Sequence, residues 1–138
     1  MDDDCIISFA DIILDKKIIK NLVDSKKKIT MCIDKSKSRE GTMKIDLIND
    51  KLTYLGNYPK VNSGNYIGIM KIKKKSINLL IEGMKKIKNK SKNFYFTESI
   101  NYLMKHKLTK VNHLDVKKNF WVEIDDHKDL LLSKKKIR

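Results

Sequence analysis

Between Phe120 and Leu130 the chain changes period, and that change constrains what the surrounding sequence can build. Read with an alternation of two, Phe120, Val122 and Ile124 share one face, while Trp121, Glu123 and Asp125 share the other. The pattern predicts a strand with an apolar face and, on the opposite face, two carboxylates aimed past its end. Asp126 then suits a helix N-cap, with Asp129 at the N3 position of a capping-box-like pair ahead of Leu130, Leu131 and Leu132. An acidic strand end therefore runs straight into a helix N-terminus. An ordinary capped junction has this form. So does a site for a hard cation such as magnesium, which needs closely spaced carboxylate oxygens.

The rest of the chain supplies alternating strands and helices. Cys5 to Asp11 is a short apolar run ending in an acid, and Ile29 to Asp34 is a second; both suit buried strands. Leu14, Ile18 and Leu22 make a helical stripe between them, flanked by Ile19 and Val23. A connection this short predicts a right-handed crossover and a parallel pair, with Asp11 and Asp34 at the C-terminal ends of neighbouring or near-neighbouring strands. Asp34 reads as a polar strand terminus. After a polar loop from Lys35 to Glu40, Met43 to Leu55 alternates loosely around Asn49-Asp50, which suits a hairpin beside the main sheet.

Val61 to Lys71 is a further strand, and its Gly64 and Gly68 mark places where another backbone or a ligand comes close. Ser76 can cap a helix carrying Ile77, Leu80, Ile81, Met84 and Ile87 on one face, with Lys85, Lys86, Lys88 and Lys90 solvated near its C-terminus. Thr97 opens another helix with Ile100, Leu103 and Met104 inward, and Lys110 to Val116 reads as an edge-like strand. The expected fold is a single α/β domain over residues 1–138, with a mixed, mostly parallel sheet, flanking helices and a side hairpin.

Composition narrows the partners. A net charge of +14 raises nucleic acid, but only two of the 31 basic residues, Arg39 and Arg138, are arginine. The lysines are spread along the chain, and the abundance of Lys, Ile and Asn beside a single alanine points to A/T-rich codons as a source of the charge. These features argue against direct nucleic-acid binding. No apolar stretch approaches a membrane span, and the acidic start is no signal peptide. Cys5 and Cys32 have no paired spacing and are expected as buried thiols of a cytoplasmic protein; His106, His113 and His127 share no ligand spacing and read as surface residues.

Four segments together resemble the nucleotidyltransferase superfamily, whose enzymes join a nucleoside monophosphate from an NTP to a phosphorylated acceptor. Trp121 to Asp125, followed by Lys128-Asp129-Leu130, resembles its closing W-x-E-I-D-T-P-x-D-L pattern. Ile6 to Ile12 resembles I-I-S-Y-x-D-I, Ser63 to Lys71 resembles G-E-Y-I-G-I-x-K, and Phe96-Thr97-Glu98 resembles a Y-x-E helix start. The nearest subgroup is the cytidylyltransferases acting on phosphocholine and aminoethylphosphonate. The resemblance implies a partial Rossmann-like nucleotidyltransferase fold with Mg2+ on Asp11 and Asp125, and with Glu123 as the alternative acid. It implies Asn65, Tyr66, Lys71 and Glu98 on the substrate side, CTP as the nucleotide, and a small phosphorylated acceptor.

Three departures shape the expectation. Asn65 stands where the family has glutamate, and Asp126-His127 replaces Thr-Pro. The family begins with a strand and a glycine-rich, basic NTP-holding loop, whereas this sequence starts after that point. The implied part is thus the C-terminal, acceptor- and metal-binding portion, inactive alone, with the Asp11 strand as an open edge. Such a chain would associate with a separate N-terminal half, associate with itself through the open edge, or fold poorly. The alternatives are a lysine-rich module for RNA or another polyanion, and a degenerate fragment without activity.

Overall fold

A computed structural model of the chain describes residues 3–36, 39–89 and 94–136, so Lys90, Arg138 and part of the 35–40 loop lie outside the described residues. The elements are β1 (Cys5–Ser8), β2 (Ile12–Leu14), α1 (Lys16–Asp24), β3 (Ile29–Asp34), β4 (Lys44–Ile48), β5 (Lys51–Gly56), β6 (Gly64–Ile72), α2 (Lys74–Lys88), α3 (Phe96–Lys105), β7 (Val111–Asp115), β8 (Trp121–Glu123) and α4 (His127–Lys136).

All nine residues of β6 are buried, and the main sheet is built on it. One edge of β6 pairs with β3; the other pairs with β4 at its start, Ile45 opposite Gly64, and with β1 at its end, Cys5 opposite Ile72. The strand order is β5-β4-β6-β3-β7, with β1 also on β6, while β2 and β8 form a separate two-stranded sheet. The α/β class and flanking helices are as expected, but the sheet is not mostly parallel. Only β3 and β7 pair in parallel; every other described pair is antiparallel. β1 and β3 do run the same way, yet β6 enters between them after the hairpin has reversed the chain, and it takes the hydrogen bonds of both. A fully buried strand shows no alternation, so its residues do not report its direction.

The hairpin turn is where the sequence put it. Asn49 and Asp50 have φ of 50° and 58°, the two positive values that a tight two-residue turn of primed type requires. The hairpin does not stand aside, however. β4 belongs to the main sheet, and the turn is tied to the β3–β7 edge: Asp50 Oδ1 lies 2.8 Å from Lys35 Nζ and 3.3 Å from His113 Nε2. His113 is accordingly half-buried rather than a surface residue.

Two apolar layers sandwich the sheet, because alternate residues of β3 and β6 point to opposite faces. Met31, Ile33, Met70 and Ile72 meet Ile77, Leu80, Ile100 and Leu103 of α2 and α3 on one face. Cys32, Ile67 and Ile69 meet Ile18 and Leu22 of α1 and the indole of Trp121 on the other. Cys32 and Cys5 are free thiols, and burial pushes the Cys32 thiol up to about 12. Among the described residues β1 has a strand on one side only, and Ile6 is 41% exposed, so the expected open edge is present.

α2 starts earlier than the Ser76 cap predicts. Ser76 lies buried inside the first turn, and the exposed donor at the helix start is met from elsewhere: Lys74 N–H donates to Asp4 Oδ1 at 3.1 Å. Asp4 Oδ2 also lies 2.9 Å from Lys73 Nζ and 3.5 Å from Lys71 Nζ. The Lys73 hydrogen bond, then that of Lys74, holds the Asp4 carboxyl down at about 2. A depressed carboxyl adds stability above its ordinary value, and this is lost as pH falls from about 4 toward 2. Asp4→Asn should therefore be less stable than the parent in urea melts at pH 6, with the difference vanishing near pH 2. A difference that does not change with pH would mean the ion pairs are idle.

Candidate metal centre

The chain leaves the main sheet toward the site after Phe9, which packs on Gly68 where the β3–β6 register shifts. Phe9 N–H donates to Gly68 O at 2.8 Å, and its ring occupies the space a side chain at 68 would need. Gly68 has φ +79°, and a Cβ there would fall 2.7 Å from Cδ2 of Phe9. Gly68→Ala should lower stability by about 2 kcal/mol through backbone strain and a displaced ring. A urea midpoint equal to the parent's would show that the ring has room to yield.

Beyond Phe9 the chain turns out of the main sheet into β2, which pairs with β8: Ile12 opposite Glu123, Ile13 opposite Val122, Leu14 opposite Trp121. Ile124 N–H donates to Asp11 O at 2.8 Å, so Asp11 sits across from Ile124, the residue between Glu123 and Asp125. Oxygens of Asp11, Glu123 and Asp125 lie within 4.8 Å of one another, with Asp11 and Asp125 exposed and Glu123 half-buried. The helix start next to them is locked by the capping box read from the sequence. Asp126 Oδ1 accepts from Lys128 N at 2.7 Å and Asp129 N at 3.0 Å, while Asp129 Oδ2 accepts from Asp125 N and Asp126 N, each at 3.2 Å.

Three acids this close repel. Burial, then the charges of Asp125 and Asp11, push the Glu123 carboxyl above its ordinary value, and a hydrogen bond from Thr42 only partly offsets them. A divalent cation would relieve that repulsion, and all-oxygen donors suit a hard one, so the residues present fit Mg2+. Positive charge flanks the acids on one side. Lys44 is half-buried, which pushes its pKa down, while Glu123 and Glu40 hold it up. Its ammonium donates to Asn65 Oδ1 at 3.0 Å and to Arg39 O. Asp34, read as a polar terminus, is spent on structure: it accepts from Ser36 N, Ser36 Oγ and Trp121 Nε1 at 2.8, 2.6 and 2.7 Å. Burial works against its charge, but the Ser36 and Trp121 hydrogen bonds and Arg39 keep its pKa low.

The fold thus brings Asp11, Glu123 and Asp125 together but scatters the four residues expected on the substrate side. Asn65 is buried beside Lys44, and its oxygen also accepts from Arg39 N at 2.9 Å. Tyr66 points into the opposite layer, edge-on to Phe9 with ring centres 5.7 Å apart, and its hydroxyl finds no partner among the described residues. Lys71, at the far end of β6, donates to Val23 O and Ser25 O and so closes the C-terminal end of α1. Glu98 is exposed in the first turn of α3, lining a cleft of about 390 Å3 with Tyr54, Tyr58 and Tyr95. Sequence reasoning missed Arg39, Thr42 and Lys44. The signal was there: Arg39 is one of only two arginines, and it stands just before Gly41, whose backbone approaches Asp125.

No family model and no curated protein matches the sequence. Solved structures do match. A protein described as a glucose-1-phosphate thymidylyltransferase from Bacillus anthracis is 15% identical with a TM-score of 0.70, over 99% of this chain and 55% of its own. The inositol-1-phosphate CTP transferase from T. maritima is 16% identical with a TM-score of 0.67, over 97% of this chain and 55% of its own. A nucleoside-diphosphate-sugar pyrophosphorylase from Vibrio cholerae RC9 gives 7% and 0.67, over 96% and 56%. The chain shares its fold with these structures. The chain spans about 55% of the length of these neighbours. Among the described residues no helix is long and apolar enough to cross a membrane.

Proposed function

We propose that this chain is the metal- and acceptor-binding part of a cytoplasmic nucleotidyltransferase that moves a nucleoside monophosphate, CMP from CTP, onto a small phosphorylated acceptor. The meeting of Asp11, Glu123 and Asp125 on this fold carries the proposal. In such an enzyme the hold on base and triphosphate would fall to the part of the neighbours' length that this chain does not span. Asp11 and Asp125 would hold Mg2+ with Glu123 beside them, and the ion would supply charge neutralisation between nucleotide and acceptor phosphates. An acceptor phosphate oxygen bonds to the α-phosphorus as the bond to the β-phosphate oxygen breaks, and pyrophosphate leaves. No side chain acts as nucleophile; the chain's task is to orient the groups and balance charge. Asn65 acts by fixing Lys44 and the backbone of Arg39; Tyr66 and Lys71 support the sheet, and Glu98 lines a separate cleft.

The test is pyrophosphate release from CTP with Mg2+ and a panel of phosphorylated acceptors, using the protein with its nucleotide-holding portion. Release that depends on one acceptor and falls at least about a thousandfold in Asp125→Asn is expected; turnover unchanged by that substitution overturns the proposal. The 138 residues alone should bind CTP weakly. One observation favours polyanion binding instead: Lys26, Lys27, Lys51 and Lys110 outnumber Asp24 and Asp50 in the lining of a cleft of about 600 Å3. An RNA gel shift that survives physiological salt would promote it, since contacts made by scattered lysines weaken steeply with salt.

A further inference from the structure

We propose that Arg39 and Lys44 form a phosphate-binding arm beside the acidic cluster, a role that rests on the metal-site proposal and adds its anion-binding side. The Arg39 guanidinium lies over the Trp121 indole, 4.2 Å from the ring centre, and Nη1–H donates to Trp121 O at 3.3 Å. That stacking fixes the plane of the fork. Its backbone N–H is tied to Asn65 Oδ1 at 2.9 Å. The other guanidinium donors have no protein partner among the described residues, and neither Arg39 nor Lys44 is in an ion pair there. Two oriented cations with no carboxylate within ion-pair distance among the described residues, next to a cation site, suit a phosphate dianion held between the metal and the arm.

Asn65 decides whether the arm is available. Its carboxamide oxygen accepts from both Arg39 N–H and the Lys44 ammonium, so it orders the pair without neutralising it. A glutamate at 65 would pair with Lys44 and occupy it. The amide at 65 thus leaves the Lys44 charge un-neutralised by its own hydrogen-bond partner. Glu40 and Glu123 near Lys44, and Asp34 near Arg39, are the opposing charges. With the acids unfilled they disfavour an anion, so metal and phosphate should strengthen each other's binding.

The experiment is calorimetric titration of the 138-residue chain with Mn2+ alone, and then with methyl phosphate or tripolyphosphate, each with and without Mn2+. Arg39→Gln and Lys44→Gln should each weaken phosphate binding about tenfold or more while Mn2+ affinity stays within threefold, as roughly expected for residues that do not touch the ion. Arg39→Lys, which keeps charge but loses the fork, should fall between and controls for misfolding. If only methyl phosphate depends on the pair, the arm serves the acceptor; if only tripolyphosphate does, it serves the nucleotide. Phosphate affinity that is the same in all three variants, or absent in the parent, overturns the proposal. Phosphate binding that needs Arg39 and Lys44 without any Mn2+ binding would keep the arm and remove the metal site.

Discussion

Replacing Trp121 with alanine is expected to lower stability by about 4 kcal/mol, the range for emptying a large buried aromatic site. Trp121 is 2% exposed and packs among Ile18, Leu22, Ile67 and Ile69, so truncation opens a cavity in the layer that joins α1 to the sheet. Two further losses add to the cavity. The buried Asp34 carboxylate loses the 2.7 Å bond from Nε1, and Arg39 loses the ring beneath it. Trp121→Phe separates these effects. It keeps most of the volume and forfeits the donor, so its cost should be about 1–3 kcal/mol. Urea unfolding at pH 7 measures both. A Trp121→Ala chain within 1 kcal/mol of the parent, roughly a surface-substitution cost, would show that the indole does not hold the two sheets together.

The second large effect is a reversal. Without metal, Asp125→Asn should melt higher than the parent, because it removes one of three like charges that meet within 4.8 Å. With Mg2+ at about 100 times the parent's Kd, the parent gains about 2.7 kcal/mol, whereas a variant bound 100-fold more weakly gains only about 0.4 kcal/mol. The order of the two melting temperatures should therefore invert on adding the ion. The pH dependence has a definite sign. Glu123 titrates above its ordinary value of 4.5, so the metal-free fold loses stability as pH rises from 4.5 through that raised value. Metal affinity should climb over the same window as the proton leaves. Asp125→Asn melting below the parent without metal would mean the carboxylates are not in conflict.

The local chemistry of this chain could be read from its sequence wherever neighbours in sequence decide it. The Asp126–Asp129 capping box and the Asn49-Asp50 turn formed as read, because each rests on a few adjacent backbone donors or dihedral angles. The span of β3 was equally clear from its unbroken apolar run. What the sequence hid depends on distant segments. β2 is three residues long and looked like the tail of a strand and the start of a helical stripe; only its pairing with β8 gives it an identity. Yet that pairing is what sets Asp11 against Glu123 and Asp125. Ser76 had the chemistry of a cap, but Asp4, seventy residues away, reached the helix start instead. Lys71 matched a family motif, while its environment of Val23 O, Ser25 O and Asp4 is a property of how α1 ends. The three acids were legible by likeness; Arg39 and Lys44, which no short motif marks, were not.

The most direct measurement is Mn2+ binding followed by electron paramagnetic resonance on the parent, Asp11→Asn and Asp125→Asn. One ion per chain is expected in the parent, with affinity falling about 100-fold in both variants alike, as for the loss of one carboxylate from a small all-oxygen site. If the parent takes up no ion, or if one of the two substitutions leaves binding untouched, the two chain segments do not share a cation.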